Sequence, residues 1–309
     1  MLRTALSRLG WMGVSVWLIV TIAFSAISAL PGDTARMVLG RQASVETVSA
    51  FRHNSGLDLP WWRQYLVFVG NILHLRLGDS LGLHRPVATV ISERLQATLQ
   101  LIGVAVALVL ILSFLLPMLL RVAGLKRVLS VYTNAFLLLG ITPPYVLGVV
   151  LVACFAGILK WMPAIFDPGR PFEWLLPGLV LAAYPVTLVL RLFDQQLEQA
   201  TASPYALRAR SYGLPRTVIL VRELLPNALP VALAGLANGL AGFVTGTFFV
   251  EVTFGIPGLG WLTWQAIANR DIPLLAALCM LFAVAVTAVS ALLDLARFGL
   301  DPRLRGQHA

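Results

Sequence analysis

The stretch SPYALRARSYGLPRTVILVRELLPNALP, running from Ser203 to Pro230, is the longest polar interruption in the second half of an otherwise apolar chain. Ser203 followed by Pro204 predicts a helix start: the serine oxygen can accept from an unpaired N–H of the first turn, where proline's missing donor costs nothing. Gly213 predicts the stop, because glycine takes the left-handed conformation of a helix C-terminus without steric penalty. Pro215 cannot continue that helix but suits the start of the next. A bent pair of short helices is expected. On the first, Tyr205, Ala209 and Tyr212 fall at i, i+4 and i+7, so one face carries two aromatics around a small residue, with Arg208, Arg210, Arg216 and Arg222 on and around it. Such a face suits a groove on another protein, with guanidinium forks fixing the orientation. A plain solvated connector between two membrane spans fits the local pattern as well, since basic loops beside a membrane are ordinary.

What flanks the stretch decides the class. The chain has 309 residues, 58% hydrophobic and 12% charged, more apolar and less charged than a soluble domain, so most of it is expected inside a membrane. Apolar runs at Trp11–Leu30, Leu95–Leu120, Ala135–Leu159, Leu175–Leu192, Ala228–Val250 and Pro273–Leu293 are each long enough for a hydrocarbon core of about 30 Å. The expectation is an all-α, polytopic membrane protein with six transmembrane helices. Residues 1–94 form an N-terminal span and a long outer segment, and residues 95–309 form a transmembrane domain of spans two to six, with a cytoplasmic loop at about 195–227 between spans four and five.

The net charge of +9 does not point to nucleic acid, because its distribution follows the membrane. With the amino terminus inside, Arg3, Arg8, Arg121, Lys126, Arg127, Arg191, Arg208, Arg210, Arg216, Arg222, Arg297, Arg303 and Arg305 fall in cytoplasmic segments. The short outer loops hold only Lys160, Arg170 and Arg270, and the long first loop is exempt from the bias. Both termini are therefore expected in the cytoplasm. Trp11–Leu30 is longer than the apolar core of a cleaved signal peptide and is read as an uncleaved anchor. Cys154 and Cys279 fall inside apolar spans and are read as core fillers.

In the outer segment, Ser44 can cap a helix that Gly56 closes, and Pro60 opens a second, on which Trp61, Tyr65, Phe68 and Ile72 form a stripe able to pack on the spans or lie in the interface. Pro143 and Pro144 deprive the third span of two donors, so a kink or break is expected there. Arg191, Asp194 and Glu198, of mixed sign at the end of the fourth span, read as a solvated exit. Gly235, Gly239, Gly242 and Gly246, at i, i+4, i+7 and i+11, line one helix face and predict close packing within the bundle or between subunits. Glu251, at an outer membrane edge, reads as paired or capping.

Energy-coupling chemistry is absent from the chain. No G-x-x-x-x-G-K-[ST] loop occurs, so ATP would have to be bound by another subunit. His53, His74, His84 and His308 lie in predicted loops without a second histidine at ligand spacing, so no metal site is expected from this chain alone. No span holds a histidine, which argues against an enzyme and against a proton-coupled carrier.

Tyr205, Ala209-Arg210, Gly213-Leu214, Arg222 and Asn227-Ala228-Leu229-Pro230 resemble the cytoplasmic loop of binding-protein-dependent importer permeases, the membrane subunits of ABC-type transporters, and specifically their dipeptide, oligopeptide and nickel class. The resemblance extends through Gly56-Leu57-Asp58, Gln64-Tyr65, Leu77-Gly78, Ser80, Arg94-Leu95 and Thr98-Leu99 to Pro257-Gly258-Leu259-Gly260, Asp271 and the tail Leu300–Arg305. Tyr212 and Gln96 depart from it, standing where relatives usually carry a basic residue and a proline. The resemblance implies an inner-membrane permease that forms half of a translocation pathway for peptides and binds no cofactor itself. Tyr205, Ala209, Arg210, Gly213, Leu214 and Arg222 would then dock on an ATP-hydrolysing subunit. Glu251, Pro257, Gly258, Gly260 and Asp271 would lie toward an external substrate-binding protein. A second permease subunit and two ATPase subunits carrying ATP and magnesium complete the implied assembly. A stand-alone ion-coupled carrier and a membrane scaffold are the alternatives.

Overall fold

The computed structural model describes residues 13–14, 17–19, 21–22, 24–25, 34–40, 42–74, 76–163, 165–170 and 172–300. The expected first span, Trp11–Leu30, lies largely outside these residues, as does the tail after Leu300. The described chain is helical, with an isolated bridge between Asp79 and Pro86. It divides into two compact units: residues 1–98 with 257–287, and residues 99–256 with 288–309.

In the first unit, α1 (Thr34–Leu39) leads to α2 (Val45–Asn54), which begins and ends as the sequence predicts. Ser44 Oγ accepts from Thr47 N at 3.2 Å, and Gly56 takes φ +66° while Gly56 N and Leu57 N return to His53 O and Arg52 O. Beside this turn His53 hydrogen-bonds Asp58 at 2.9 Å, which holds the Asp58 carboxyl below the usual carboxylate range. Pro60 then opens α3 (Trp61–Leu73). Tyr65 packs its ring against Phe24 at 5.5 Å and its hydroxyl against Thr21 Oγ1 at 2.7 Å. Trp61, Trp62, Leu66 and Val67 face outward. The core of this unit joins Val87 and Val90 to Leu259, Leu262, Leu274 and Leu278.

The second unit is assembled around α7 (Leu175–Thr201), reached through α4 (Val87–Val122), α5 (Lys126–Ile141) and α6 (Pro144–Ile158). Its buried positions Leu176, Val180, Leu181, Val186, Val189, Leu190, Phe193 and Leu197 go nearly all round the helix, the mark of a central element. Around it stand α5, α6, α9 (Arg216–Val218, continuing through a widened turn at Ile219–Leu224 into Leu225–Ala241) and α10 (Phe243–Phe254), with the short α8 (Pro204–Ser211) between α7 and α9. Two more helices follow, α11 (Leu259–Ala268) and α12 (Ile272–Leu300).

Among the described residues four helices are long and apolar enough to cross a membrane, or up to six if each of two interrupted pairs counts as one span. One pair is α5 and α6, bent by 113°. Of the kink or break expected within the third span, Ala135–Leu159, the structure has a break. Thr142 and Pro143 both precede a proline, a position that excludes the α region, and both are extended, with ψ 129° and 139°. The other pair is α10 and α11. The expected fifth span, Ala228–Val250, is not one helix either: α9 ends and α10 begins at Gly242, and α9 is long enough to be a span without α10.

Candidate functional site

The segment from Ser203 to Leu214 is built as its sequence dictates. Ser203 Oγ accepts from Ala206 N at 3.4 Å, Pro204 occupies the first turn, and α8 ends in a glycine cap. Gly213 has φ +72°; its N–H reaches Arg210 O at 2.9 Å, and Leu214 N reaches Ala209 O at 3.4 Å, the paired bonds that satisfy the last carbonyls of a helix. Pro215 caps the start of α9. Both ends of this two-turn helix are therefore capped.

Its orientation corrects the face expected from spacing. Ala206 is fully buried and Ala209 is 6% exposed, so the small residues turn inward and let α8 sit close to the Ile219–Leu224 turn. Ala209 is thus a packing residue, not the waist of an outward surface. Tyr205 is half-buried. The outward face is Leu207, Arg208, Ser211 and Tyr212, the last 75% exposed, and exposure continues through Gly213, Leu214 and Arg216. Arg210 Nη2 donates to Thr201 O at 3.3 Å, fixing α8 to the last turn of α7. Arg222 is exposed on the widened turn of α9.

About two turns up α7 from Thr201 stands an ion pair that corrects the reading of Asp194 as part of a solvated exit. Arg121 Nη2 pairs with Asp194 Oδ1, their side chains only 17% and 21% exposed, and Thr133 Oγ1 lies 3.4 Å from Asp194 Oδ2. The end of α4, the middle of α5 and the C-terminal third of α7 are tied together there. Arg121 Nη1 is buried without a hydrogen-bond partner among the described residues. Arg191 and Glu198 are exposed, as expected. Arg121 and Asp194 are 73 residues apart, beyond any local spacing rule, so only the charge toward each helix end hinted at the pair.

The four glycines divide by contact. A Cβ on Gly235 would meet Leu192, on Gly239 Pro185 and on Gly246 Leu181, all on α7, whereas one on Gly242 would meet only Gly239 O at 3.2 Å. Three of them therefore serve the approach of α9 and α10 to α7 within the chain.

Glu251 and Asp271 are both buried. Asp271 Oδ2 accepts from Ser80 Oγ at 2.5 Å and Gly82 N at 3.0 Å, and Oδ1 accepts from Leu274 N at 3.2 Å. The carboxylate caps α12 and holds the turn after Gly78. Thr98 Oγ1 does the same for α11, accepting from Leu259 N at 2.8 Å beside the buried Gly258 and Gly260; Pro257 is half-buried. The sequence marks Ser80 and Thr98 only by resemblance, because a hydroxyl carries no spacing signature. Asp271→Ala leaves three donors without their acceptor, and the expected result is a loss of about 2 kcal/mol, read as a lower unfolding midpoint of the purified protein.

Known proteins agree with this architecture. Residues 121–306 match the family described as the binding-protein-dependent transport system inner membrane component, and residues 1–102 match the N-terminal part of the same systems' membrane component. The chain is 28% identical to the dipeptide transport system permease protein DppB of Lactococcus lactis over 99% of its own length and 100% of the relative's. It is 26% identical to the glutathione transport system permease protein GsiC of Escherichia coli, with 99% of each chain covered. A solved methionine ABC transporter in an inward-facing form shares the fold, with a TM-score of 0.54 at 18% identity, over 70% of this chain and 98% of that one. With a match that takes in most of its length and helices fit to cross a bilayer, this chain belongs to the binding-protein-dependent transport system inner membrane component family, the multi-pass permeases of ABC-type transporters.

Proposed function

We propose that this permease is half of the translocation pathway of an ATP-driven importer of peptides, and that α8 with the Gly213–Arg216 turn is its contact with an ATP-hydrolysing subunit. One observation carries the reading: a short helix, capped at both ends and bonded to α7 through Arg210, presents Leu207, Arg208 and Tyr212 outward. A lever with an exposed apolar and cationic face is what transmission of a push to α7 and α9 requires. Peptide as substrate class follows the names of the relatives, whose permeases serve dipeptides and glutathione.

The assembly this implies has a second, related permease, two subunits holding ATP and magnesium, and an external binding protein that selects the substrate. Both termini face the cytoplasm, on the side of Arg208 and Arg210. By the family resemblance, Glu251, Pro257, Gly258, Gly260 and Asp271 lie toward the binding protein. Family membership sets aside the stand-alone ion-coupled carrier.

The test is reconstitution of the whole complex in liposomes with separate readings of ATP hydrolysis and peptide uptake. Arg210→Glu and Leu207→Asp are expected to leave the chain in the membrane while uptake per ATP falls at least tenfold, about 1.4 kcal/mol of lost coupling. Unchanged uptake in both variants would remove the assigned role of α8.

A further inference from the structure

The first unit contains a cavity of about 170 Å³. It is larger than the roughly 150 Å³ apolar cavity that accommodates a benzene-sized guest. Its walls are mostly aliphatic, including Val67 of α3, Leu81, and Pro273 and Ala276 of α12. The polar side chains on it are those of Ser55, Gln64, Asn71 and Arg76. Gln64 spends its amide nitrogen on Leu57 O at 3.2 Å and Leu59 O at 2.8 Å. Arg76 is exposed and makes no ion pair among the described residues, Asp79 three residues on included. An apolar hollow with one uncommitted guanidinium on its lining is suited to an amphiphile with an anionic head.

Position selects which amphiphile. Pro273 and Ala276 belong to the first turns of the span Ile272–Ala291, so the cavity lies where that helix enters the bilayer. Beside it α3 turns Trp61 and Leu66 outward, 69% and 61% exposed, and Val67 belongs both to this face and to the cavity wall. Arg63 stacks over the Trp62 ring at 5.1 Å. Tryptophan beside arginine on an amphipathic helix is the composition that settles at the headgroup level. A surface of this composition is one that lipid covers in a bilayer.

We infer that the cavity is a phospholipid site, in which Arg76 binds the phosphate and a segment of an acyl chain lies between α3 and the start of α12. Two variants test it separately. Ala276→Phe fills the hollow without touching the charge, and Arg76→Gln removes an exposed charge without touching the core. The complete transporter, purified into phosphatidylcholine nanodiscs with a minor fraction of phosphatidylglycerol, is analysed by native mass spectrometry for phosphatidylglycerol retained per complex, with affinity for the binding protein measured on the same sample. Retention is expected to fall about fivefold in Arg76→Gln, the effect of one basic residue at a charged surface, and to fall in Ala276→Phe as well. Retention lost in Arg76→Gln but intact in Ala276→Phe would mean an anion site without an acyl chain, which inorganic phosphate would then occupy equally, and the inference would fail. It would also fail if retention stayed at the wild-type level in Arg76→Gln, and a loss of binding-protein affinity in that case would identify the hollow as a protein-docking surface.

Discussion

Gly239→Leu is expected to abolish the folded permease, with no monodisperse protein recovered from solubilised membranes, while Gly242→Ala is recovered at wild-type yield. A Cβ on Gly239 would lie 2.9 Å from Pro185 Cβ and 3.3 Å from Pro185 Cα. A proline ring has no rotamer to give and its Cα is backbone, so the two helices must separate. Overpacking of this kind costs about 1–3 kcal/mol for a methyl-sized intrusion, and leucine adds three more carbons. Gly235 is the instructive intermediate. Its Cβ would come within 2.4 Å of Leu192 Cδ1, a closer approach, but to the far end of a side chain that can rotate away. The expected order of damage is therefore Gly239, then Gly235, then Gly242, which is not the order of the distances. Equal stability of Gly239→Leu and Gly242→Ala would show that α9 does not rest on Pro185.

Arg121→Ala is expected to cost about 3–5 kcal/mol, the price of leaving Asp194 as a largely buried charge without its partner. Asp194→Ala should do similar harm, since it strands a guanidinium that already has Nη1 buried without an acceptor. The double variant Arg121→Ala/Asp194→Ala should be less damaged than the sum of the singles, because a pair removed together leaves no uncompensated charge. Thermal unfolding of the purified protein across the four members of this cycle reads the coupling. Additive losses would mean that the two residues act independently and that α4 and α7 are held there by apolar packing alone.

Local chemistry made the ends of the short elements legible. The serine caps at Ser44 and Ser203, the left-handed glycines at Gly56 and Gly213, and the helix starts after Pro60 and Pro215 follow from interactions within a few residues. Of the breaks, the one at Pro143-Pro144 was legible but its angle was not, and the one at Gly242 was missed. An apolar run reports how much chain a bilayer can hold but not whether the backbone within it is continuous. Thr142-Pro143-Pro144 therefore read as one interrupted span and folded as two helices at 113°. The division at Gly242 has no proline to announce it.

By itself the sequence determined the all-helical membrane class, through composition and periodicity, and the transporter family, through the resemblance its motifs carry. The site needed the tertiary structure. Ala209 looked like part of a docking face until Ala206 beside it proved equally buried; a helix two turns long shows the same residues whichever way it is rolled, and only its neighbours at Ile219–Leu224 decide the roll. The same holds for Arg121 with Asp194 and for Asp271 with Ser80 and Gly82, pairs separated by 73 and about 190 residues. Charges and hydroxyls so distant in sequence carry no shared period, and their partners are chosen by how α4 meets α7 and how the turn after Gly78 meets α12.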